Sequence, residues 1–248
     1  MSGRPFLTAR WRHLLLLNYE VDPGLLEPLV PSGTELDAWE GRTLMSLLGF
    51  RFLDTAVLGV PVPGHRQFTE VNLRFYVRRR SPDGAWRSGV VFIRELVPKR
   101  WVAWTARLAY QEPYLRVPMT HAIELGGLSP VEPGQVSYGW THRGESCRLV
   151  GELRSPIRPL QRPSEAEFIT EHHWGYNRQR DGGTLEYEVR HPAWQVTGVT
   201  AARLEGDASA LYGPGLAAAM AGPPHSAFFA DGSAVEVYRG RPLPAAGA

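Results

Sequence analysis

The chain has almost no lysine. Of its 27 basic residues, Lys99 is the single lysine and the other 26 are arginines. Arginine fills most surface roles, but it stays protonated and forms no Schiff base. Any side-chain amine chemistry here therefore rests on Lys99, although a compositional bias toward arginine also accounts for a lone lysine. Cysteine is equally scarce. Cys147 stands alone, which excludes an intramolecular disulfide and a cysteine zinc cage and fits a cytoplasmic protein. Long apolar runs are missing too, since Leu14 to Leu17 is far too short for a signal core or a membrane span. The net charge is only +2, so nothing in it argues for nucleic-acid capture. There is no glycine-rich nucleotide loop, no His-Glu-x-x-His helix and no Gly-x-Ser-x-Gly elbow. Those absences remove the easily read enzyme classes, and no cofactor is expected.

What the chain has is turn punctuation. Its 26 glycines and 21 prolines separate many short apolar segments, the pattern of a strand-rich protein. Trp11 to Tyr19 reads as a strand or a short buried helix. Asp22-Pro23-Gly24 opens a helical stretch that Pro31-Ser32-Gly33-Thr34 ends. Thr43 to Phe52 is a strand, and Val57 to Gly64 is a loop apolar enough to lie over something. Gln67 to Arg78 alternates most clearly. Val71, Leu73, Phe75 and Val77 fall on one face, and Glu70, Asn72, Arg74 and Tyr76 on the other. After the Ser81-Pro82-Asp83-Gly84 turn, Gly89 to Val97 is expected to pair back as a hairpin, with Val91, Ile93, Glu95 and Val97 on one face. Trp101, Trp104 and Leu108 recur at helical spacing, which puts Lys99 at a strand-helix junction. Tyr114 to Leu125 returns as a strand. Gln135 to His142 and Cys147 to Arg154 form a second hairpin. Ser164 with Glu167 is a capping box opening a short helix. Thr184 to Val189 and Trp194 to Thr200 are strands. Asp207 to Ala221 is helical with a break at Pro214, and Phe228 to Tyr238 is a last hairpin about Asp231-Gly232. With no repeat or low-complexity linker, residues 1–248 read as one domain.

Two groups of residues could carry chemistry. In Glu95-Leu96-Val97-Pro98-Lys99-Arg100, an amine sits beside an acid, an apolar stretch and a second cation. Glu171-His172-His173-Trp174-Gly175-Tyr176, with His191, has histidines but no metal-ligand spacing. Adjacent histidines diverge, so only one of His172 and His173 can join His191. Packing at a strand-loop corner accounts for this group, and no metal site is expected.

Glu70-Val71-Asn72-Leu73-Arg74, Ala106-Arg107, Glu112-Pro113-Tyr114, Glu171-His172-His173-Trp174-Gly175-Tyr176 and Val189-Arg190-His191-Pro192-Ala193-Trp194 resemble the YqjF-like family of uncharacterised bacterial proteins (domain of unknown function 2071), from Trp11 to about Tyr238. That family is remotely similar to the acetoacetate decarboxylase-like superfamily. The resemblance implies an α+β fold: a mainly antiparallel, closed or cone-shaped β-barrel around a central cavity, with a few short helices. It aligns Lys99 with the Schiff-base position, Arg100 with the neighbouring cation and Glu70 with an acid of the site; Glu95 is the second acid available for proton transfer. The spacer before the lysine is shorter here, and arginine replaces a second lysine. The implied activity is decarboxylase-like chemistry on a small keto acid through Lys99. The alternative is a barrel that binds a small apolar or amphipathic ligand without chemistry, with Asn72, Arg74, Tyr76 and Tyr114 as contacts. The expected partners are a small molecule and further copies of the chain in a homo-oligomer, not a nucleic acid or a membrane.

Overall fold

The computed structural model describes residues 3–61, 64, 66–99, 113–129 and 131–243. Among them the strands are β1 (Leu7–Glu20), β2 (Glu35–Leu36), β3 (Leu44–Val57), β4 (Val60–Pro61), β5 (Phe68–Arg80), β6 (Trp86–Val97), β7 (Tyr114–Arg116), β8 (Met119–Glu124), β9 (Gly134–His142), β10 (Glu145–Leu153), β11 (Arg158–Pro159), β12 (Trp174–Arg178), β13 (Thr184–Arg190), β14 (Gln195–Gly198), β15 (Thr200–Glu205), β16 (Ser226–Val237) and β17 (Arg241–Pro242). The helices are short: α1 (Pro23–Leu26), α2 (Glu165–Thr170), α3 (Ser209–Tyr212) and α4 (Pro214–Met220). No helix among the described residues is long and apolar enough to cross a membrane.

The larger sheet runs β11-β14-β16-β1-β3-β5-β6-β12-β13-β17. Val189 also pairs with Val237 and Arg190 with Glu236, which joins β13 to β16. The strands from β16 through β1, β3, β5, β6, β12 and β13 thus return on themselves in a ring-like arrangement. The sheet is mixed, because β6 runs parallel to both β7 and β12. A second sheet, β15-β10-β9-β8, stands apart.

Alternation along the strands divides the apolar residues between the two faces of the ring. Leu15, Leu17, Met45, Leu47, Val71, Leu73, Phe75 and Val77 pack outward against Val136, Tyr138 and Leu149 of the second sheet and against Leu211 and Leu216 of α3 and α4. Leu14, Leu16, Leu48, Phe50, Phe68 and Val97 form the other cluster, on the inner face, with Tyr114 and Trp194. The approach between sheets is close: a Cβ on Gly49 would lie 2.5 Å from the Tyr138 ring. Only glycine fits there.

Four local expectations change. The β5–β6 hairpin forms, but its register shifts between Leu73 and Arg74: Leu73 pairs with Arg94 and Arg74 with Phe92. Ile93 is the extra residue of a bulge, and a bulge reverses which residues face which way beyond it. Val91 and Ile93 therefore pack outward while Val97 packs inward, so the four residues Val91, Ile93, Glu95 and Val97 do not share one face. Pro118 divides the expected Tyr114 strand between two sheets, as β7 and β8. Thr200–Glu205 adds a strand on β10 that the sequence reading ended at Thr200. Asp231-Gly232 does not turn the chain. β16 runs straight through it because β1 pairs along its whole length, from Leu7 with Val237 to Asn18 with Ser226. Gly232 takes φ +85° there, and a Cβ on it would meet the Trp11 carbonyl oxygen at 2.0 Å. The segment of Trp101, Trp104 and Leu108 lies outside the described residues.

Glu186 of β13 ties the flank of the ring together. Its side chain is fully buried and accepts from Arg79 at 2.7 Å, Arg87 at 3.1 Å and Arg241 at 2.8 Å. These partners come from β5, β6 and β17. Burial pushes the Glu186 carboxyl up, but the Arg241 and Arg79 hydrogen bonds and the Arg79 and Arg87 charges outweigh it and hold it below its ordinary value. Removing one member of a buried ion pair strands the others. Glu186→Gln is therefore expected to cost about 3 kcal/mol or more in urea unfolding. Arg241→Gln, whose side chain is mostly exposed, is expected to cost about 1 kcal/mol or less.

Candidate functional site

The inner face of β5 carries a column of polar side chains at two-residue spacing. Glu70 and Asn72 are each 2% exposed, Arg74 is 7% exposed, and Tyr76 is fully buried. Because of the Ile93 bulge, Glu95 is the direct cross-strand partner of Asn72 and is as buried as Glu70. Tyr114 of β7 pairs with Glu95 on its other side. Asn72 Nδ2 donates to Glu70 Oε1 at 3.0 Å, and the Tyr114 hydroxyl donates to Glu70 Oε2 at 3.3 Å. Two carboxylates, an amide and a phenol thus converge across three adjacent strands. Such a group can hold and move a proton on a small molecule. Asn72 Oδ1 has no hydrogen-bond partner.

Tyr76 is held by a directional chain. The Ser46 hydroxyl donates to Asn18 Oδ1 at 2.6 Å, so its single proton is committed and it accepts from the Tyr76 hydroxyl. Asn18 Nδ2 donates to Ser226 at 3.0 Å, and Ser226 donates to Glu165. The Tyr76 proton therefore points to Ser46 of the neighbouring strand, leaving its oxygen as an acceptor. Burial raises the Tyr76 hydroxyl well above its ordinary value, against the opposing pull of Arg74.

Lys99 lies just beyond the end of β6, half-buried, and its Nζ donates to the Gly64 carbonyl. No ion pair joins it to Glu70 or Glu95 among the described residues. Arg100 lies outside those residues. The expected site residues Glu70, Asn72, Glu95 and Tyr114 are thus brought together. Arg74 and Tyr76 continue the same column, and Lys99 stands at the edge of the strand that carries Glu95.

The structure adds His172, which the sequence reading assigned to packing. It is 8% exposed and packs on Tyr76 and Phe168, with ring centroids 4.7 and 5.1 Å away. Burial pushes its imidazole down to about 3, helped by the Arg74 and His173 charges. Its neighbour goes the other way: His173 packs against His191, the rings tilted by 40° with centroids 4.8 Å apart. No group of three or more metal-ligating side chains occurs among the described residues. A groove of about 630 Å³ lies elsewhere, beside β12 and β13, lined by Trp174, Glu186, Glu188 and several arginines. Both its acids are engaged: Glu186 holds Arg87 and Arg241, and Glu188 holds Arg190. It includes neither the β5 column nor Glu95, Lys99, Tyr114 or His172.

A histidine depressed by burial stays neutral in the fold while the unfolded chain protonates near 6.5. The unfolded state then binds more protons below that pH, so stability is complete above about 6.5 and falls as pH drops toward the folded value. His191, pushed down to about 4 chiefly by burial, adds in the same direction. Unfolding free energy is expected to fall by roughly 1.4 kcal/mol for each pH unit below 6.5 per buried histidine. Denaturant titrations at pH 7 and 5 should show this, with a shallower decline in His172→Gln.

The family model described as DUF2071, uncharacterized conserved protein (COG2071), matches residues 8–234. The uncharacterized protein YqjF of Bacillus subtilis (strain 168) is 27% identical over 199 residues, covering 78% of this chain and 76% of YqjF. Among solved structures, acetoacetate decarboxylase from Legionella pneumophila superposes with a TM-score of 0.69 at 15% identity, over 98% of this chain and 88% of that one. An acetoacetate decarboxylase-like enzyme from Sphingomonas wittichii RW1 gives 0.68 at 14% identity, over 99% and 95%. The enduracididine biosynthesis enzyme MppR complexed with pyruvate gives 0.64 at 13% identity, over 98% and 92%. At these identities the structural likeness shows the fold alone.

Proposed function

Because the chain belongs to the DUF2071 family of uncharacterized conserved proteins and has the acetoacetate decarboxylase-like fold, we propose that it takes a small keto acid on the inner face of the ring and acts on it through Lys99. The observation that carries this reading is the pair of buried carboxylates, Glu70 and Glu95, on adjacent strands. They share an amide neighbour, and the strand bearing Glu95 runs out at the only lysine. Known proteins of this fold support the ligand class, since MppR is seen with pyruvate.

In this mechanism the neutral Lys99 amine adds to the ketone carbon, and the carbinolamine loses water to give an iminium. For a β-keto acid, the bond to the carboxylate then breaks. Its electron pair passes into the iminium, and carbon dioxide leaves an enamine. Glu70 or Glu95 protonates the enamine carbon, and water hydrolyses the new iminium, releasing the ketone and the amine. Asn72 and Tyr114 orient Glu70 for the proton transfers. Arg100, next in sequence, is the cation expected to favour the neutral amine. A binding protein without chemistry is the second reading, favoured by the lack of an ion pair between Lys99 and either acid.

Borohydride reduction in the presence of a β-keto acid separates the two. A stable adduct at Lys99, located by peptide mass and lost in Lys99→Arg, is expected. Binding of the keto acid by calorimetry with no adduct at any pH between 6 and 9 would reject the imine in favour of binding alone. Glu70→Gln is expected to slow turnover about a hundredfold while leaving the adduct detectable, the magnitude usual for a lost general acid-base group.

A further inference from the structure

Arg74 is a buried cation that no side chain among the described residues neutralises. Its Nη2 donates to the Ile169 carbonyl at 3.0 Å, at the end of α2. Its Nε has no partner, and no carboxylate lies within ion-pair distance of it among the described residues. A guanidinium has five N–H donors in a fork that fits a carboxylate, and leaving one buried without an anion is costly. The buried Glu186, by contrast, has three arginines. Capping one carbonyl of a six-residue helix accounts for one donor of the five.

A second observation lies beside it. Neither ring nitrogen of His172 makes a hydrogen bond of good geometry, the Phe168 backbone lying close but poorly aligned, although the residue is more than nine-tenths buried. A neutral imidazole offers one N–H donor and one acceptor, and buried groups of this kind are normally satisfied. The Tyr76 oxygen nearby cannot donate, because its proton is given to Ser46. Its ring packs 5.7 Å from the Arg74 guanidinium carbon.

We infer that Arg74 and His172 form a carboxylate subsite on the inner face of the ring, which takes the acid group of the ligand while Glu70 and Glu95 face the rest of it. The carboxylate accepts from Arg74 Nε and from the His172 N–H. It supplies the missing negative charge and a partner for Arg74 Nε and for the donor nitrogen of His172. This rests on reading the ring interior as a small-molecule site, but not on imine formation at Lys99.

Butanoate tests it, because butanoate has no carbonyl and cannot form an imine; butanamide is the uncharged control. Calorimetry on the full chain at pH 7 should show butanoate binding at least about tenfold more tightly than butanamide, and Arg74→Gln should lose about tenfold to a hundredfold of that affinity, as expected when a charge-assisted contact goes. If Arg74→Gln does not fold, the wild-type protein still decides. Nitrogen chemical shifts of His172 should move with butanoate, and its titration should shift upward because an anion has joined the Arg74 and His173 charges that now lower it. Equal binding of butanoate and butanamide, unchanged butanoate affinity in Arg74→Gln, or His172 signals unmoved at tens of millimolar butanoate would each overturn the subsite. The two readings fail separately: butanoate binding without a borohydride adduct removes only the imine, and an adduct without butanoate binding removes only the subsite.

Discussion

One extra residue in β6 decides what the interior of the ring contains. Without the bulge at Ile93, strict alternation would put Glu95 on the face of Val91, against the second sheet. A carboxylate there would face Leu73, Phe75 and the apolar side of β9, where nothing compensates its charge. With the bulge, Glu95 becomes the cross-strand neighbour of Asn72, and Val97 turns in behind it. The bulge places Glu95 beside Asn72 on the inner face and Arg94 opposite Leu73. The grouping of Glu70, Asn72, Glu95 and Tyr114 depends on it.

Buried charge is treated in two ways in the same sheet. Around Glu186 the strands β5, β6, β13 and β17 supply partners until nothing is left over. On the inner face the polar atoms are positioned but not exhausted. Tyr76 is fixed through Ser46, Asn18 and Ser226 to Glu165, while Asn72 Oδ1, Arg74 Nε and both nitrogens of His172 remain open. The first arrangement is what stability alone produces. The second leaves hydrogen-bonding capacity unused on side chains that their neighbours hold in place.

Much of this was legible in the sequence because it was local. The Val71-Leu73-Phe75-Val77 stripe is the outward face of β5. Ser164 caps α2 by accepting from the Glu167 amide at 3.1 Å. The hairpin about Arg143-Gly144 lies between β9 and β10 as read, and Gly213 with Pro214 divides the helical stretch. The divergence of adjacent histidines also appears, with His173 on His191 and His172 on Tyr76. What escaped was set by distant partners. No residue in Phe92-Ile93-Arg94 marks a bulge; the demand for it comes from β5. Asp231-Gly232 has the chemistry of a turn, yet pairing with β1 on both sides of it prevails. The importance of His172 depends on Arg74, far away in sequence, and periodicity cannot reveal that.

The hairpin of β12 and β13 is joined to the rest of the ring by narrow seams. On one side Trp174 and Gly175 pair with Gly89 and Val90; on the other, Val189 and Arg190 pair with Val237 and Glu236. So few ladder bonds make these seams weaker than the long pairings among β1, β3 and β5. The Glu186 cluster reinforces the hairpin, tying β13 by charge to β5, β6 and β17 where the backbone pairing is sparse.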